Sequence, residues 1–550
     1  MSTESQSDIL GKLALLGNQK VGIGNYYLEL LRESDDVLSV AAACALLVSK
    51  FVPPHTLPRL QELARFQSVR TRAFDFFMKE REYELANSIL RAPALPVGDI
   101  IQQGMEAAYA NDHRQVADVE VQKFLQTGML QHLNRARIAA EQEGGWRRAL
   151  PLTVKLMLIN PEEVRWPIQL LELLTAFNQF ELLEQFCDIA ETAKALPEMA
   201  AISRAILAGN KGLPAEGLKL LDHLLTRSLP RMLEVEICRT KASLLDRAGR
   251  FEEANKWYEK QNEFYRSDKT SVTPFDRHRF IERIKVTANL NVPKLPFEDR
   301  NAYFMMLGFP RSGTTLLENM LASHPAIETF EEIPSWESMS QIMSSFALKK
   351  LALPADIAVK ARARYYREID QNKKKLGADI FIDKLPIRSA EAVMLEKMFP
   401  QMKYIFSIRH PYDVVLSCFK QHFAPNGAMD NFTTIEDACH LYDFAMSQWF
   451  KIFSLESEQV CYVHYHRLLE NLPDEVTRVL KFVGTDWDDG ILQFAKRSDD
   501  RGSRTPSYSK VRQGVSLGVQ TSWRNYAFLF RRPEARPLDR WLKFFGYEDP

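Results

Sequence analysis

The chain has 550 residues, and 71 lysines and arginines balance 71 aspartates and glutamates, so the formal net charge at pH 7 is zero. This length predicts two or three domains. The balanced charge argues against nucleic acid as a partner and predicts that any anion is bound by local groups. An apolar share of 46% is typical of a folded protein with large cores.

Cysteine usage and hydropathy indicate a compartment. The 6 cysteines are scattered, with no CxxC pair and no zinc spacing, which favours buried thiols in a reducing environment. Residues 1–10 lack a basic segment followed by an apolar run, and no later stretch reaches the ~18 apolar residues of a membrane span. We therefore expect a cytoplasmic protein without a membrane span and without a metal site.

Residues 1–265 are predicted to form a helical repeat domain, because apolar residues recur with the helical period from about residue 20. Predicted helices open after Gly or Asn turn signals at steps of 34, 33 and 38 residues: Trp146, Phe180, Leu213 and Phe251. Prolines at predicted helix ends are spaced by 36 and 33 residues: Pro161, Pro197 and Pro230. Both series indicate a helix–turn–helix repeat of about 34 residues.

The best copy of this repeat, residues 242–258, resembles a tetratricopeptide (TPR) unit, with Gly249 at its turn. Each such helix pair leaves an apolar face uncovered, so neighbouring pairs stack and their groove commonly holds a peptide or a protein surface. We therefore expect a peptide or protein partner in this groove. The alternative is that the array only supports the C-terminal half or mediates homodimerisation.

The pattern changes after residue 265. Residues 266–300 lose periodicity and carry three prolines, which predicts a linker or docking segment. From residue 301 to residue 550, short apolar runs alternate with helical stretches, which predicts an α/β domain with a central parallel sheet. The clearest runs are residues 303–307, 380–382, 404–408 and 460–463.

The first apolar run leads into Gly308-Phe-Pro-Arg-Ser-Gly-Thr-Thr and then a helical pattern, which is a P-loop-like order. Backbone N–H groups and the dipole at a helix start can hold a phosphate. Arg311 adds a charge, and the hydroxyls of Ser312, Thr314 and Thr315 add donors. The loop lacks the Gly-Lys-Ser/Thr of nucleoside triphosphatases, which argues against a kinase or ATPase.

A second group of residues lies about one hundred residues further on. Arg409 ends a predicted strand and Ser417 lies two turns into the next helix, close enough to bind one further phosphate together. Two phosphate sites imply a 3',5'-bisphosphate ligand. Lys384 ends another predicted strand, at the sheet edge where ligands of open α/β sheets bind.

These motifs resemble those of PAPS-dependent sulfotransferases, most of all the tyrosylprotein sulfotransferases and their TPR-containing bacterial relatives, over residues 301–550. The resemblance implies a 5'-phosphosulfate site made of Arg311, Ser312, Gly313, Thr314 and Thr315. It implies a 3'-phosphate site made of Arg409 and Ser417. Further nucleotide contacts implied by it are Tyr465 and, in a late loop whose spacing departs from the family pattern, Ser509 and Arg512.

Sulfuryl transfer needs a base for the acceptor proton and cations at the leaving oxygen, which Arg311 and Lys384 can supply without a metal. In tyrosylprotein sulfotransferases a His-Pro pair is followed by two glutamates, and the second is the base. The resemblance therefore implies Glu332 as the base here. Rival candidates are Glu331 and three histidines, namely His324, His410 and His422.

The resulting hypothesis is an enzyme that transfers a sulfuryl group from PAPS, its co-substrate, to an acceptor hydroxyl. Peptidyl tyrosine is favoured by the glutamate pair and by a groove that suits a polypeptide. One alternative is the same chemistry on a carbohydrate, a lipid or a small phenol. Another is a TPR scaffold that binds nucleotide without turnover.

Overall fold

A computed structural model describes residues 113–160, 163–192, 196–267, 275–298, 300–423, 426–494 and 522–547, and the single residues 61, 65, 70, 71, 73 and 89. Contacts divide the chain into two compact units, residues 1–240 with 500–503, and residues 241–499 with 504–550. The domain boundaries predicted at residues 265 and 300 differ from this division and stay predictions. Among the described residues, no helix combines the length and apolar character that a membrane crossing requires.

The described part of the first unit is helical. Its helices are α1 (His113–Thr127), α2 (Leu130–Ile159), α3 (Arg165–Ala176), α4 (Phe180–Thr192), α5 (Pro197–Asn210), α6 (Pro214–Leu224) and α7 (Arg231–Arg247), the last of which continues into the second unit. Asn178 and Gly212 take left-handed φ values of 53° and 78° and make the turns before α4 and α6. Two of the turn signals in the sequence thus have a direct conformational cause.

The repeat prediction is only partly met. Phe180 opens α4 as predicted and Leu213 immediately precedes α6, but the prediction that Trp146 opens a helix is wrong, because Trp146 lies inside α2. The glycine pair before Trp146 costs about 1 kcal/mol per residue relative to alanine. Packing of buried residues such as Leu150 outweighs that cost and keeps the helix continuous. The TPR assignment stays a prediction.

The described part of the second unit combines helices with five strands. Its elements in chain order are α8 (Phe251–Arg266), α9 (Arg279–Ala288), β1 (Tyr303–Gly308), α10 (Thr314–Ala322), β2 (Ile327–Glu331), α11 (Ser335–Leu348), α12 (Ala355–Asn372), β3 (Ile380–Lys384), α13 (Ala392–Met398), β4 (Lys403–Ile408), α14 (Pro411–Phe419), α15 (Ile435–Ile452), β5 (Val460–His464), α16 (Tyr465–Glu470), α17 (Leu472–Val483), α18 (Ala527–Phe530) and α19 (Asp539–Phe545).

The five strands form one parallel sheet in the order β2-β3-β1-β4-β5, which confirms the predicted central parallel sheet. The sequence analysis identified four of these strands and missed β2, whose Ile-Glu-Thr-Phe-Glu sequence has only two apolar residues. The register pairs Lys384 with Met306 of β1 and with Glu331 of β2. The carboxyl ends of β1, β2 and β3 therefore meet at one edge, the usual ligand edge of such sheets.

Two apolar layers hold the sheet. One face packs against α10 and α17 through buried residues such as Leu317 and Val479. The other face carries a larger aromatic layer, in which Phe406 stacks on Trp449 with ring centroids 4.5 Å apart. Each such buried side chain contributes about 1.5–3 kcal/mol by leaving water. The strand ends are thus held by a rigid core.

The end of α7 and helix α8 pack against the sheet part of the second unit. Asp246 accepts hydrogen bonds from Lys420 Nζ and from the hydroxyl of Tyr526, both at 2.6 Å. The amide of Asn262 donates to Phe419 O at 3.1 Å. These bonds hold the C-terminal end of α14, so the segment with the best TPR resemblance supports the helix that carries Ser417.

Candidate active site

The loop between β1 and α10 is compact because of Gly308. A Cβ atom there would lie 2.7 Å from Ser312 Oγ and 2.8 Å from Ser407 O, and the φ of 153° also disfavours a side chain. The Gly308 carbonyl accepts a hydrogen bond from Ser389 Oγ at 2.6 Å. The loop therefore packs closely against the sheet, and the residues after Gly308 lead into α10.

Arg311 lies at the centre of this loop with a left-handed φ of 72°, a conformation that costs a non-glycine residue about 1–2 kcal/mol. Its Nε donates to Ser417 Oγ at 3.0 Å, and its carbonyl accepts from Arg409 at 3.3 Å. Burial, together with the nearby charge of Arg409, lowers the pKa of Arg311. Two guanidinium groups brought close together favour an anion beside them.

Gly313 immediately precedes α10, and the ring of Tyr465 packs against it. A Cβ atom at Gly313 would lie 2.4 Å from the Tyr465 ring, and the φ there is 96°. The same ring lies under the guanidinium of Arg409, 4.8 Å from its centroid, a cation–π contact. The structure thus joins the two predicted phosphate sites through one aromatic side chain.

The first turn of α10 carries small hydroxyl residues that suit an anion. Ser312, Thr314 and Thr315 are buried. Ser312 Oγ has no hydrogen-bond partner within the described part of the chain. An unsatisfied buried hydroxyl at a helix start beside two arginines fits the oxygens of a phosphate or sulfate group.

Arg409 is oriented by Asp413 on the first turn of α14. The carboxylate lies 3.8 Å from the Arg409 guanidinium and is fully buried. Its other oxygen accepts from Ser522 Oγ at 2.8 Å and from Trp523 N at 3.1 Å. Asp413 therefore links the arginine of the predicted 3'-phosphate site to the C-terminal segment.

The geometry of two candidate histidines argues against a role as base. His410 caps α14 by accepting a bond from Tyr412 N at 3.3 Å, stacks on Trp523, and burial lowers its pKa to about 3. His324 accepts from Ala326 N at 3.1 Å, so its other nitrogen donates to Asp486 O at 3.0 Å. Both rings use their lone pair inside the protein.

Lys384 is fully buried at the end of β3 and faces three carboxylates. Its Nζ lies 3.1 Å from Glu332 Oε1, 3.2 Å from Glu331 Oε1 and 3.6 Å from Glu318 Oε2. Burial alone lowers the pKa of Lys384, but the charges of the three glutamates outweigh it, so the pKa is raised and the lysine stays charged.

The two glutamates of the predicted pair differ in access. The side chain of Glu331 is 10% exposed, whereas that of Glu332 is 44% exposed. Glu332 has a left-handed φ of 48°, and its N–H donates to Lys384 O at 3.1 Å. Because a general base must reach an acceptor from outside, Glu332 is the better placed of the two.

Asp383 precedes Lys384 and is also completely buried. It accepts hydrogen bonds from Ser335 Oγ at 2.7 Å and from the Tyr365 hydroxyl at 2.8 Å. Burial raises the pKa of this carboxyl to about 7, although both hydrogen bonds lower it. Asp383 thereby ties the start of α11, which follows the glutamate pair, to β3.

The structure brings the predicted residues into two groups. Arg311, Gly313, Arg409, Ser417 and Tyr465 share contacts around the phosphate loop. Lys384, Glu331 and Glu332 form the second group, at the adjoining ends of β2 and β3. Ser509 and Arg512 lie outside the described residues.

Sequence reasoning missed the buried acids Glu318, Asp383 and Asp413. The sequence does mark each of them, because each is a single carboxylate within an otherwise apolar or hydroxyl-rich segment, in a strand or near the start of a helix. No group of His, Cys, Asp and Glu suited to a metal ion occurs among the residues that the structure describes.

Residues 304–489 match the family model described as Sulfotransferase family. This stretch contains most of β1, the other four strands and all the described candidate site residues. This part of the chain is thus similar to sulfotransferases, whereas the helices before it and the residues after 489 lie outside the match.

A protein of Aquifex aeolicus (strain VF5), named only as uncharacterized, is 30% identical over 241 residues, which are 40% of this chain and 30% of that protein. Protein-tyrosine sulfotransferase 1 of Danio rerio is 25% identical over 245 residues, 43% of this chain and 67% of that protein. The chain therefore spans under a third of the first relative and about two thirds of the second.

Among solved structures, the sulfotransferase domain from the Synechococcus PCC 7002 olefin synthase aligns with a TM-score of 0.35 and 20% identity. The alignment covers 47% of this chain and 100% of that domain.

Proposed function

We propose that this protein transfers a sulfuryl group from PAPS to an acceptor hydroxyl, with peptidyl tyrosine as the acceptor. The observation that carries the proposal is the pairing of Lys384 with Glu332 at 3.1 Å, at the end of the strand beside the phosphate loop. That arrangement puts a charged lysine and an accessible carboxylate at one sheet edge.

PAPS would supply the sulfuryl group and a leaving phosphate oxygen. Arg311, Ser312, Gly313, Thr314 and Thr315 would hold its 5'-phosphosulfate through backbone N–H groups, hydroxyls and one charge. Arg409 and Ser417 would bind its 3'-phosphate. Tyr465 would contact the nucleotide next to them. The buried Ser312 hydroxyl, which has no hydrogen-bond partner among the described residues, supports the 5'-phosphosulfate site.

In the transfer, Glu332 takes the proton of the acceptor hydroxyl, and the acceptor oxygen forms a bond to sulfur. The bond between sulfur and the bridging oxygen of the 5'-phosphate breaks, and that oxygen keeps the electron pair. Arg311 and Lys384 stabilise the negative charge that develops there. Glu332 then releases its proton to water, and the products are a sulfate ester and 3'-phosphoadenosine 5'-phosphate.

Two observations support tyrosine as the acceptor. Relatives named protein-tyrosine sulfotransferase match 39–43% of this chain, at 24–26% identity for the fish, nematode and chicken proteins. Glu332 also opens to solvent, as a base for a large substrate must. We propose that the helical repeats before the catalytic part bind the polypeptide that carries this tyrosine.

The proposal is tested by supplying a cell lysate with PAPS and the purified protein and identifying the products by mass spectrometry. Sulfated tyrosines are expected in the lysate that received the protein and not in a lysate that received PAPS alone. Sulfated sugars, lipids or small phenols instead would assign the same chemistry to another acceptor class. Tight binding of 3'-phosphoadenosine 5'-phosphate without any sulfated product would refute catalysis and leave a nucleotide-binding scaffold.

A further inference from the structure

The ammonium of Lys384 is approached by carboxylates from two different elements. Glu331 and Glu332 lie at the end of β2, and Glu332 is 44% exposed. Glu318 lies in the second turn of α10, and its side chain is 0% exposed. Lys384 therefore has two carboxylate partners at the end of β2, of which Glu332 is accessible and Glu331 is 10% exposed, and a third on α10 that solvent and acceptor cannot reach.

Glu318 is held in place from its other side. Its Oε1 accepts a hydrogen bond from Thr329 Oγ1 at 3.0 Å, and Thr329 is itself buried in β2. Its Oε2 lies 3.6 Å from Lys384 Nζ, beyond hydrogen-bond distance, so it acts on the lysine through charge. A carboxylate this deeply buried is stable only beside a positive charge, and Lys384 supplies one.

Helix α10 connects this carboxylate to the phosphate loop. The same helix begins at Thr314, where the predicted phosphate site lies, and Glu318 follows one turn later. A lysine anchored to α10 keeps a fixed position relative to that loop. A lysine anchored only to Glu331 and Glu332 would be tied to the end of β2 and not to the helix that follows the phosphate loop.

The chemistry of the transfer gives the anchor on α10 a specific role. When Glu332 takes up the acceptor proton, it loses the charge that attracts Lys384. At that moment the lysine must face the leaving oxygen, where negative charge is growing. Because Glu318 is shielded from the acceptor, it takes no part in that proton transfer and stays beside Lys384.

We propose that Glu318 is a positioning residue that keeps Lys384 charged and aligned with the phosphate loop while Glu332 acts as the base. This inference rests on the function proposed above and adds to it a role for the counter-ion of Lys384 that lies on α10.

The test is Glu318→Gln, which keeps the size of the side chain and an oxygen for Thr329 but removes the charge. Turnover is expected to fall by about 10- to 100-fold, the usual effect of a reactive group displaced by about 1 Å. The KM for PAPS is expected to stay the same or fall, because one negative charge near an anion site has been removed. If the glutamine variant does not fold, Glu318→Asp keeps the charge, withdraws the carboxylate from the lysine and is expected to lower turnover in the same way.

Glu328→Gln is the matched control. Glu328 is a buried glutamate of β2 that accepts from the backbone N–H groups of Lys374 and Lys375 at 2.7 and 3.2 Å, away from Lys384. The Glu328→Gln substitution is expected to lower the melting temperature. It should not lower turnover at a temperature where the variant is folded. The contrast separates a lost structural contact from a displaced lysine.

Four results would contradict the reasoning, three of them the inference and one the proposed function. Wild-type turnover in the Glu318→Gln variant would overturn the inference, and so would a rise in KM that accompanies the loss of turnover. An additive effect of Glu318→Gln on top of Lys384→Met would also overturn it, because a residue that acts through Lys384 loses its effect once the lysine is gone. A wild-type protein that transfers no sulfate would instead refute the proposed function.

Discussion

Replacing Glu332 with glutamine tests the assignment of the base. The side chain lies 3.1 Å from Lys384 Nζ but is 44% exposed, so solvent screens the pair and its loss should cost at most about 1 kcal/mol of stability. Loss of a general base should lower turnover by about two to four orders of magnitude. That decrease corresponds to about 3–5 kcal/mol of activation free energy. A stability change of the expected size therefore cannot account for it.

The assay has two parts. Initial rates of sulfate transfer from radiolabelled PAPS to a tyrosine peptide give turnover, and calorimetry with 3'-phosphoadenosine 5'-phosphate gives nucleotide affinity. We expect the affinity to be nearly unchanged, because the arginines and hydroxyls around the phosphate loop remain in place.

The matched control is Glu331→Gln, which removes the neighbouring carboxylate at 3.2 Å from the same lysine. Its effect on turnover should be under about tenfold, because Glu331 is an electrostatic neighbour and not the base. Unchanged turnover in Glu332→Gln, or a greater loss in the control, would refute the reasoning.

Three further substitutions probe the rest of the site. Arg409→Ala should weaken binding of 3'-phosphoadenosine 5'-phosphate by about 10- to 100-fold, the worth of a charged hydrogen bond, as measured by calorimetry. Gly313→Ala should lower the melting temperature and reduce nucleotide affinity, because its Cβ would meet the Tyr465 ring at 2.4 Å. In denaturant titrations, the unfolding free energy of the wild-type protein should decrease as pH rises from about 4 to 7. Asp383→Asn should make this decrease smaller.

The sign of the last prediction follows from the raised pKa. Between the ordinary pKa of an aspartate and about 7, the folded protein holds a proton on Asp383 that the unfolded chain has released. Stability therefore decreases as pH rises through this window and levels off above it. An equally steep decrease in Asp383→Asn would contradict the buried carboxyl as its source.

The other two substitutions have their own controls. Arg409→Ala should leave the affinity for the 3'-dephospho nucleotide almost unchanged. Equal losses of affinity for the nucleotides with and without the 3'-phosphate would show that Arg409 does not bind the 3'-phosphate. Gly377 has a similar φ of 81° with nothing within 4 Å of a Cβ atom, so Gly377→Ala measures the backbone strain alone. Equal decreases of melting temperature and nucleotide affinity in Gly313→Ala and Gly377→Ala would show that the contact with Tyr465 is not the cause.

Much of the sheet could be predicted from the sequence because buried parallel strands appear as short apolar runs. β4 shows this, since five of its six residues are buried. β2 escaped notice because Glu328, Thr329 and Glu331 interrupt its apolar pattern, and the structure accommodates them through partners on other elements, 11 to 53 residues away in sequence. Long-range partners of this kind leave no periodic signal.

The candidate site shows the same limit. The phosphate loop and the Arg409–Ser417 spacing are local patterns, so both were visible in the sequence. The three carboxylates around the buried Lys384 bring the ends of β2 and β3 together with α10, and only the folded chain reveals this arrangement. Trp146 illustrates the converse, because a glycine pair that predicts a turn is overruled by helix packing.

The central claim is that this chain moves a sulfuryl group, and one measurement tests it directly. The purified protein is incubated with radiolabelled PAPS and a tyrosine peptide, and label in the peptide is followed with time for the wild-type protein and for Lys384→Met. The account predicts label on tyrosine that accumulates with the wild-type protein and is nearly abolished by the substitution. Equal labelling by both proteins, or none by either while nucleotide is bound, would contradict it.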